Sequence, residues 1–182
     1  MTVILLFMEI KIAENLSKAA VFETVENYLK QNNFVIVNSD KTRPWGGFYV
    51  IDEQQSKKFI DFFFYDVENS KKESVGKISP KILIVEKRKR LSWQYHHRRA
   101  ELWKVIGGEV AVVTSNTDEE KERQVKKTND VIVLKQGERH RLIGLDDFGI
   151  VAEIWQHTDK DHPSNEDDII RIQDDFGRKN AL

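Results

Sequence analysis

The chain reads as an all-β domain that carries an N-terminal helix and a short helical insertion. Two observations predict this. From Pro80 onward, short runs rich in β-branched and aromatic residues recur at regular spacing, which argues for a closed or sandwiched antiparallel structure. Helical periodicity of any length is confined to two segments before residue 65. With 182 residues, the chain is long enough for one sizeable core. We expect residues 1–40 to form an appendage packed on the barrel and residues 41–182 to form the barrel domain.

Taken in order, the apolar run Val3–Ile10 is too short to span a bilayer and reads as an added strand or, if Met8 is the start, as an extension. Asn15 to Gln31 is helical: Leu16, Ala20, Phe22, Val25, Tyr28 and Leu29 form an apolar stripe, with Asn15 or Ser17 as cap. Phe34–Val37 is a short strand, Arg43–Gly47 a turn, and Phe48–Ile51 a strand. Gln54–Phe64 places Phe59, Ile60 and Phe63 on one helical face. Glu68–Lys77 is a polar loop. The strand series is Lys81–Val85, Leu91–His97, Glu101–Ile106, Glu109–Ser115, Val131–Leu134, His140–Ile143 and Ile150–Trp155. The charge run Thr117–Lys127 is a solvated hairpin loop. The acidic tail contains one turn of helix near Asp167–Gln173, started by the cluster Glu166, Asp167 and Asp168.

The 29 basic and 30 acidic residues leave a net charge of -1, which gives no general attraction to nucleic acid or to an anionic membrane. Cysteine is absent, so disulfides, thiolate metal sites and cysteine nucleophiles are excluded. The expected location is the cytoplasm. Lys18 and Lys30 on the helix are offset by Glu14, Glu23 and Glu26, unlike the basic face of a membrane-surface helix.

The chemistry concentrates in Leu91–Gly108, LSWQYHHRRAELWKVIGG. Gln94 and His96 share a strand face, and Glu101 returns on the next strand after a turn. His140 follows in QGERHRL. Two imidazoles and a carboxylate within apolar strands are costly to bury unless something pairs them. A divalent metal held by Gln94, His96, Glu101 and His140 is the expected partner. Such nitrogen and oxygen ligands suit zinc first, and also manganese, iron or nickel. His97 faces the other way. Arg98, Arg99, Arg139 and Arg141 flank the ligands, and a guanidinium there suits a phosphate. Arg98 shares the side of His96 if the strand persists that far. Lys81, Leu83 and Val85 share a face, which aims Lys81 at the barrel mouth.

These motifs resemble the cupins, jelly-roll (double-stranded β-helix) barrels with a metal in the mouth. Gln94 at the first ligand position, Arg43-Pro44-Trp45-Gly46, Lys81 opening its strand and the run Glu166–Arg178 (EDDIIRIQDDFGR) are similar to the cupin domain of type II phosphomannose isomerases. They are closest to its small stand-alone forms, some named phosphoheptose isomerase. Arg88, Lys135 and Phe176 depart from that pattern, standing where it usually has Gly, Pro and Tyr. The resemblance implies a metal-dependent aldose–ketose isomerase of carbohydrate metabolism that acts on a phosphorylated sugar, as a mannose-6-phosphate isomerase does, and a homodimer. It nominates Arg171, then Lys81, as catalytic-site residues and Arg178 as a substrate contact; Arg98, which flanks the ligands, is expected to bind substrate as well. Two alternatives stand beside it: a non-catalytic sugar-binding or regulatory cupin, and a non-haem iron oxygenase.

Overall fold

The computed structural model describes residues 9–67, 77–178 and 180. The expectations for the first eight residues and for most of the polar segment from residue 68 lie outside them. Helix α1 is Lys18–Gln31, capped by Ser17, whose hydroxyl accepts from the Ala20 amide at 3.2 Å. Its buried stripe is Val21, Phe22, Val25 and Leu29. A 3-10 turn at Glu53–Gln55 leads into helix α2, Ser56–Phe63. No described helix is long and apolar enough to cross a membrane.

Eleven strands are described, and they form two antiparallel sheets. The six-stranded sheet runs β1 (Ile36–Asp40), β2 (Gly46–Ile51), β3 (Lys81–Val85), β10 (Gly149–His157), β5 (Arg99–Gly107), β8 (Val131–Leu134). The five-stranded sheet runs β11 (Ile170–Gln173), β4 (Trp93–Tyr95), β9 (Arg139–Gly144), β6 (Glu109–Ser115), β7 (Gln124–Lys127). This is the all-β jelly roll expected, with the N-terminal helix and the helical insertion in place.

Side-chain alternation gives the six-stranded sheet two buried faces. On one, Ile82, Ile84, Leu102, Ile106, Ile150, Ala152 and Ile154 join the apolar faces of α1 and α2 in one cluster. On the other, Leu83, Val85, Trp103, Val105 and Val151 meet Val110, Val112 and Leu142 of the second sheet. The second face is the barrel interior. Strand β1 pairs with β2 along Asn38↔Val50 and Ser39↔Tyr49, and α1 shares the first cluster. The expected boundary at residue 40 therefore falls between two paired strands of one sheet.

Three expectations are corrected. The helical turn near Asp167–Gln173 is strand β11, paired with β4 through Ile170↔Tyr95 and Arg171↔Gln94; without it that side of β4 would be an open edge. The strand drawn from Leu91 to His97 is regular only over Trp93–Tyr95. The charge run from Thr117 ends in strand β7, which follows β6 at the sheet edge.

Candidate active site

The site is built from one row of residues across each sheet. In the six-stranded sheet, Lys81 on β3, Glu153 on β10 and Trp103 on β5 are register partners, and Trp155 partners Glu101 one step along. All belong to the inward-facing set that also includes Leu83 and Val151. In the facing sheet, Arg171, Gln94 and His140 lie in register on β11, β4 and β9. His96 stands on the turn between β4 and β5.

His96, Glu101 and His140 converge. One ligand atom of each lies within 4.8 Å of the others, and all three are buried. His96 Nε2 is 3.3 Å from Glu101 Oε1, and His140 Nε2 is 3.6 Å from Glu101 Oε2. Each imidazole has its other nitrogen against a backbone carbonyl. His96 Nδ1 meets Asp168 O, and His140 Nδ1 is 2.9 Å from Glu138 O. That arrangement puts the proton on Nδ1 and leaves both Nε2 lone pairs facing the carboxylate, the form a metal ligand needs. Burial holds His96 down at about pKa 3 and lowers His140 as well, so both rings stay neutral near pH 7. His140 Nε2 is buried and has no hydrogen-bond partner. A buried acceptor left in that state is expensive, and a divalent cation would satisfy it together with Glu101. The donor set therefore fits a metal. Gln94 sits beside His140 on the same face. Its Oε1 accepts from Ser92 Oγ at 2.6 Å, which fixes the amide.

Arg99 complicates this picture. Its guanidinium donates to Glu101 Oε1 at 2.7 Å, and Nη2 lies 3.2 Å from His96 Nε2. It also bonds Ser164 and the Asn165 carbonyl, and it lies 3.7 Å over the Trp155 ring. Arg99 thus engages two of the atoms a metal would use. Burial alone would raise Glu101. The neighbouring His96, Arg99 and His140 outweigh burial and hold Glu101 at about 2.

Glu101 and Gln94 line a cavity of about 130 Å³. Its inner wall includes the buried Lys81, Trp103 and Glu153. Arg43, Arg171 and Arg178, all half-buried, line it too and form the rim. Lys81 Nζ pairs with Glu166 at 2.6 Å and lies 4.2 Å over Trp155. Arg178 pairs with Asp174 at 2.6 Å, and Arg43 with Asp40 at 2.8 Å. Trp103 Nε1 is shared, 3.1 Å from both Glu101 Oε2 and Glu153 Oε1. Among the described residues, no cation lies within ion-pair distance of Glu153. Burial, reinforced by Glu101 and partly offset by Lys81 and Arg99, pushes it up to about 8.

The sequence-derived set is thus placed unevenly. Gln94, Glu101, Lys81, Arg171 and Arg178 line the cavity, and His96 and His140 adjoin Glu101. Arg98 is corrected: β4 stops at Tyr95, so alternation fails beyond it. The Arg98 side chain bonds the Pro163 carbonyl and Asn165 Oδ1 instead. Arg99 takes the inward position because β5 begins there and it shares parity with Glu101. Arg141 is buried between Glu120 and Gln173, and Arg139 pairs with Asp118. Asp168, expected in a helix-start cluster, is a buried clamp. Its carboxylate accepts from the His97 and Arg98 amides at 3.0 Å each and from Ser164 Oγ at 2.6 Å. Glu153 and Arg43 were missed. A lone carboxylate in the apolar run Ile150–Trp155 was the available signal for Glu153.

Among solved structures, the chain is similar to an oxalate oxidase in complex with the substrate analogue glycolate (14% identity, TM-score 0.43, covering 52% of this chain and 46% of that one). It is also similar to a DMSP lyase from Ruegeria pomeroyi (12%, 0.39, 50% and 44%). A third is vicilin from hazelnut, Corylus avellana (15%, 0.49, 74% and 33%). The chain thus spans less than half the length of each of these. No curated protein matches the chain. A family model described as mannose-6-phosphate isomerase C-terminal matches residues 64–174, the stretch that holds β3 to β11 and every ligand candidate. That match covers well over half of the sequence, and the chain belongs to the mannose-6-phosphate isomerase C-terminal family, of cupin type.

Proposed function

We propose that the protein is a metal-dependent aldose–ketose isomerase acting on a phosphorylated sugar. The observation that carries this reading is a His–Glu–His cluster opening on a cavity whose rim bears three guanidiniums, in a chain of this family. Gln94, His96, Glu101 and His140 would hold the ion. When bound, it would supply Lewis-acid polarisation of the sugar carbonyl and stabilise the enediolate charge. Asp168 and Glu138 orient the two imidazoles through their carbonyls. Arg43, Arg171 and Arg178 at the rim suit a phosphate dianion, which guanidiniums meet with paired hydrogen bonds. Trp103 and Trp155 close the inner wall and exclude water from the reacting carbons. A cavity of about 130 Å³ takes only the reacting end of the sugar and leaves the phosphate at the rim.

A second reading is a sugar-binding module without turnover, and Arg99 favours it, because its guanidinium engages the Glu101 and His96 atoms a metal would need. One experiment separates the two. Protein supplied with zinc, manganese, iron or nickel is incubated with mannose, fructose and heptose phosphates, and the sugars are followed by NMR. Isomerisation that a chelator abolishes and metal restores is expected. Binding of a phosphosugar without conversion under any metal would leave the binding module.

A further inference from the structure

Isomerisation needs a group that moves a proton between adjacent carbons, and the metal ligands do not supply one. Glu101 is committed to His96, His140 and Arg99, and Lys81 Nζ is tied to Glu166 at 2.6 Å. Glu153 is the remaining carboxyl of the inner wall. Among the described residues it accepts one hydrogen bond, from Trp103, and it lies at the centre of the row Lys81–Glu153–Trp103 on β10, an interior strand of the sheet. The Trp103 N–H that it shares with Glu101 sets its carboxyl next to the ligand cluster without making it a ligand. We infer that Glu153 is the acid–base residue of this site and carries the proton between the two carbons of the substrate. The inference rests on the isomerase reading above.

The chemistry balances without a co-reactant. A Glu153 carboxylate oxygen takes the proton from the carbon beside the carbonyl. The C–H electron pair becomes the carbon–carbon double bond of the enediolate, and the carbonyl π pair moves onto oxygen. The protonated Glu153 then delivers its proton to the former carbonyl carbon. The hydroxyl proton of the second carbon passes to the first oxygen, and the product is an isomer with no atom gained or lost. Lys81 and Arg99 also line the cavity and partly offset the charge of the carboxylate form before it takes the proton.

The test compares wild type, Glu153→Gln and Glu153→Asp, each loaded with metal, on a phosphosugar that wild type turns over. Turnover is measured in D2O together with deuterium incorporation at the two carbons, calorimetric phosphosugar affinity, metal content and melting temperature. The amide keeps the size of the side chain and the Trp103 hydrogen bond but carries no transferable proton. It should lower kcat by about 10³-fold and abolish deuterium incorporation in parallel. Phosphosugar affinity and metal content should stay within about threefold, a margin set by intact binding groups. Aspartate, one methylene short, should retain intermediate activity. Glu153→Gln within tenfold of wild type would overturn the inference and leave the isomerase reading standing. So would equal losses of affinity and turnover, or failure of both variants to fold, because Glu153 would then be structural. Wild type that converts no phosphosugar under any metal would overturn the isomerase reading, and this inference with it.

Discussion

Two glutamates on neighbouring strands of this barrel differ because of what surrounds them. Glu101 is faced by Arg99 and two imidazoles, whereas Glu153 has only the shared Trp103 N–H and more distant cations. Metal-free protein should show this in its stability. Glu153 titrates near 4.5 when unfolded and at about 8 when folded, so between those values the folded state holds the extra proton. Its contribution is therefore lost as pH rises through that window and is flat above it. Glu153→Gln removes the effect. Its unfolding free energy should gain on that of wild type progressively from about pH 5 to pH 8, by at most about 1.4 kcal/mol per pH unit, and its melting temperature should rise relative to wild type in step. Parallel melting curves for the two proteins across that range would contradict the raised titration of Glu153 in the metal-free protein. At the rim, Arg171→Ala should weaken phosphosugar binding by about 1.5–3 kcal/mol, the scale of a hydrogen bond to a charged group. The unphosphorylated sugar should be much less affected. Calorimetric titration of both sugars checks this, and equal losses would mean Arg171 does not read the phosphate.

At the scale of elements, the C-terminal segment holds the ligands in place. Asp168 ties the His97 and Arg98 amides and Ser164, and its carbonyl meets His96. Asp168→Ala leaves the His97 and Arg98 amides without this partner and lets the turn relax, so metal affinity should fall about 10–100-fold without loss of a ligand. Competition against a chromophoric chelator measures it. Helix α2 makes a contrasting case. Phe59 is fully buried and packs on Phe34 at 5.9 Å and on Phe63 at 4.8 Å between ring centroids. Phe59→Ala should cost about 3–5 kcal/mol in denaturant unfolding with metal content unchanged. Strands such as Lys81–Val85 and Glu109–Ser115 were legible in the sequence because their interiors are apolar and turn residues bound them. His96, Glu101 and His140 were legible because polar residues in apolar strands stand out. Arg98 and Arg99 were not separable, because parity depends on where β5 begins, and that is fixed by Asp168, some seventy residues away. Strand β11 read as a helix because its acidic flank imitates a helix start, and its strand character comes only from pairing with β4. Glu153 was visible as a lone charge, but its partners, Lys81 and Trp103, come from other strands.

For the molecule as a whole, the helices cover one face of the six-stranded sheet and the second sheet covers the other, so the reactive side chains are confined to the barrel interior. A nearly neutral chain presents its cations locally, at the cavity rim, where Arg43, Arg171 and Arg178 meet. Everything proposed about the reaction depends on the His96–Glu101–His140 cluster being a metal centre. Titration of zinc or manganese into chelator-stripped wild type and His140→Ala tests that most directly, with heat and bound metal both measured. One ion per chain in wild type, and binding weakened by at least about 100-fold in His140→Ala, is the expected result, since alanine removes a donor that nothing nearby replaces. Wild type that binds no ion, or a His140→Ala protein that binds as tightly as wild type, would contradict the account.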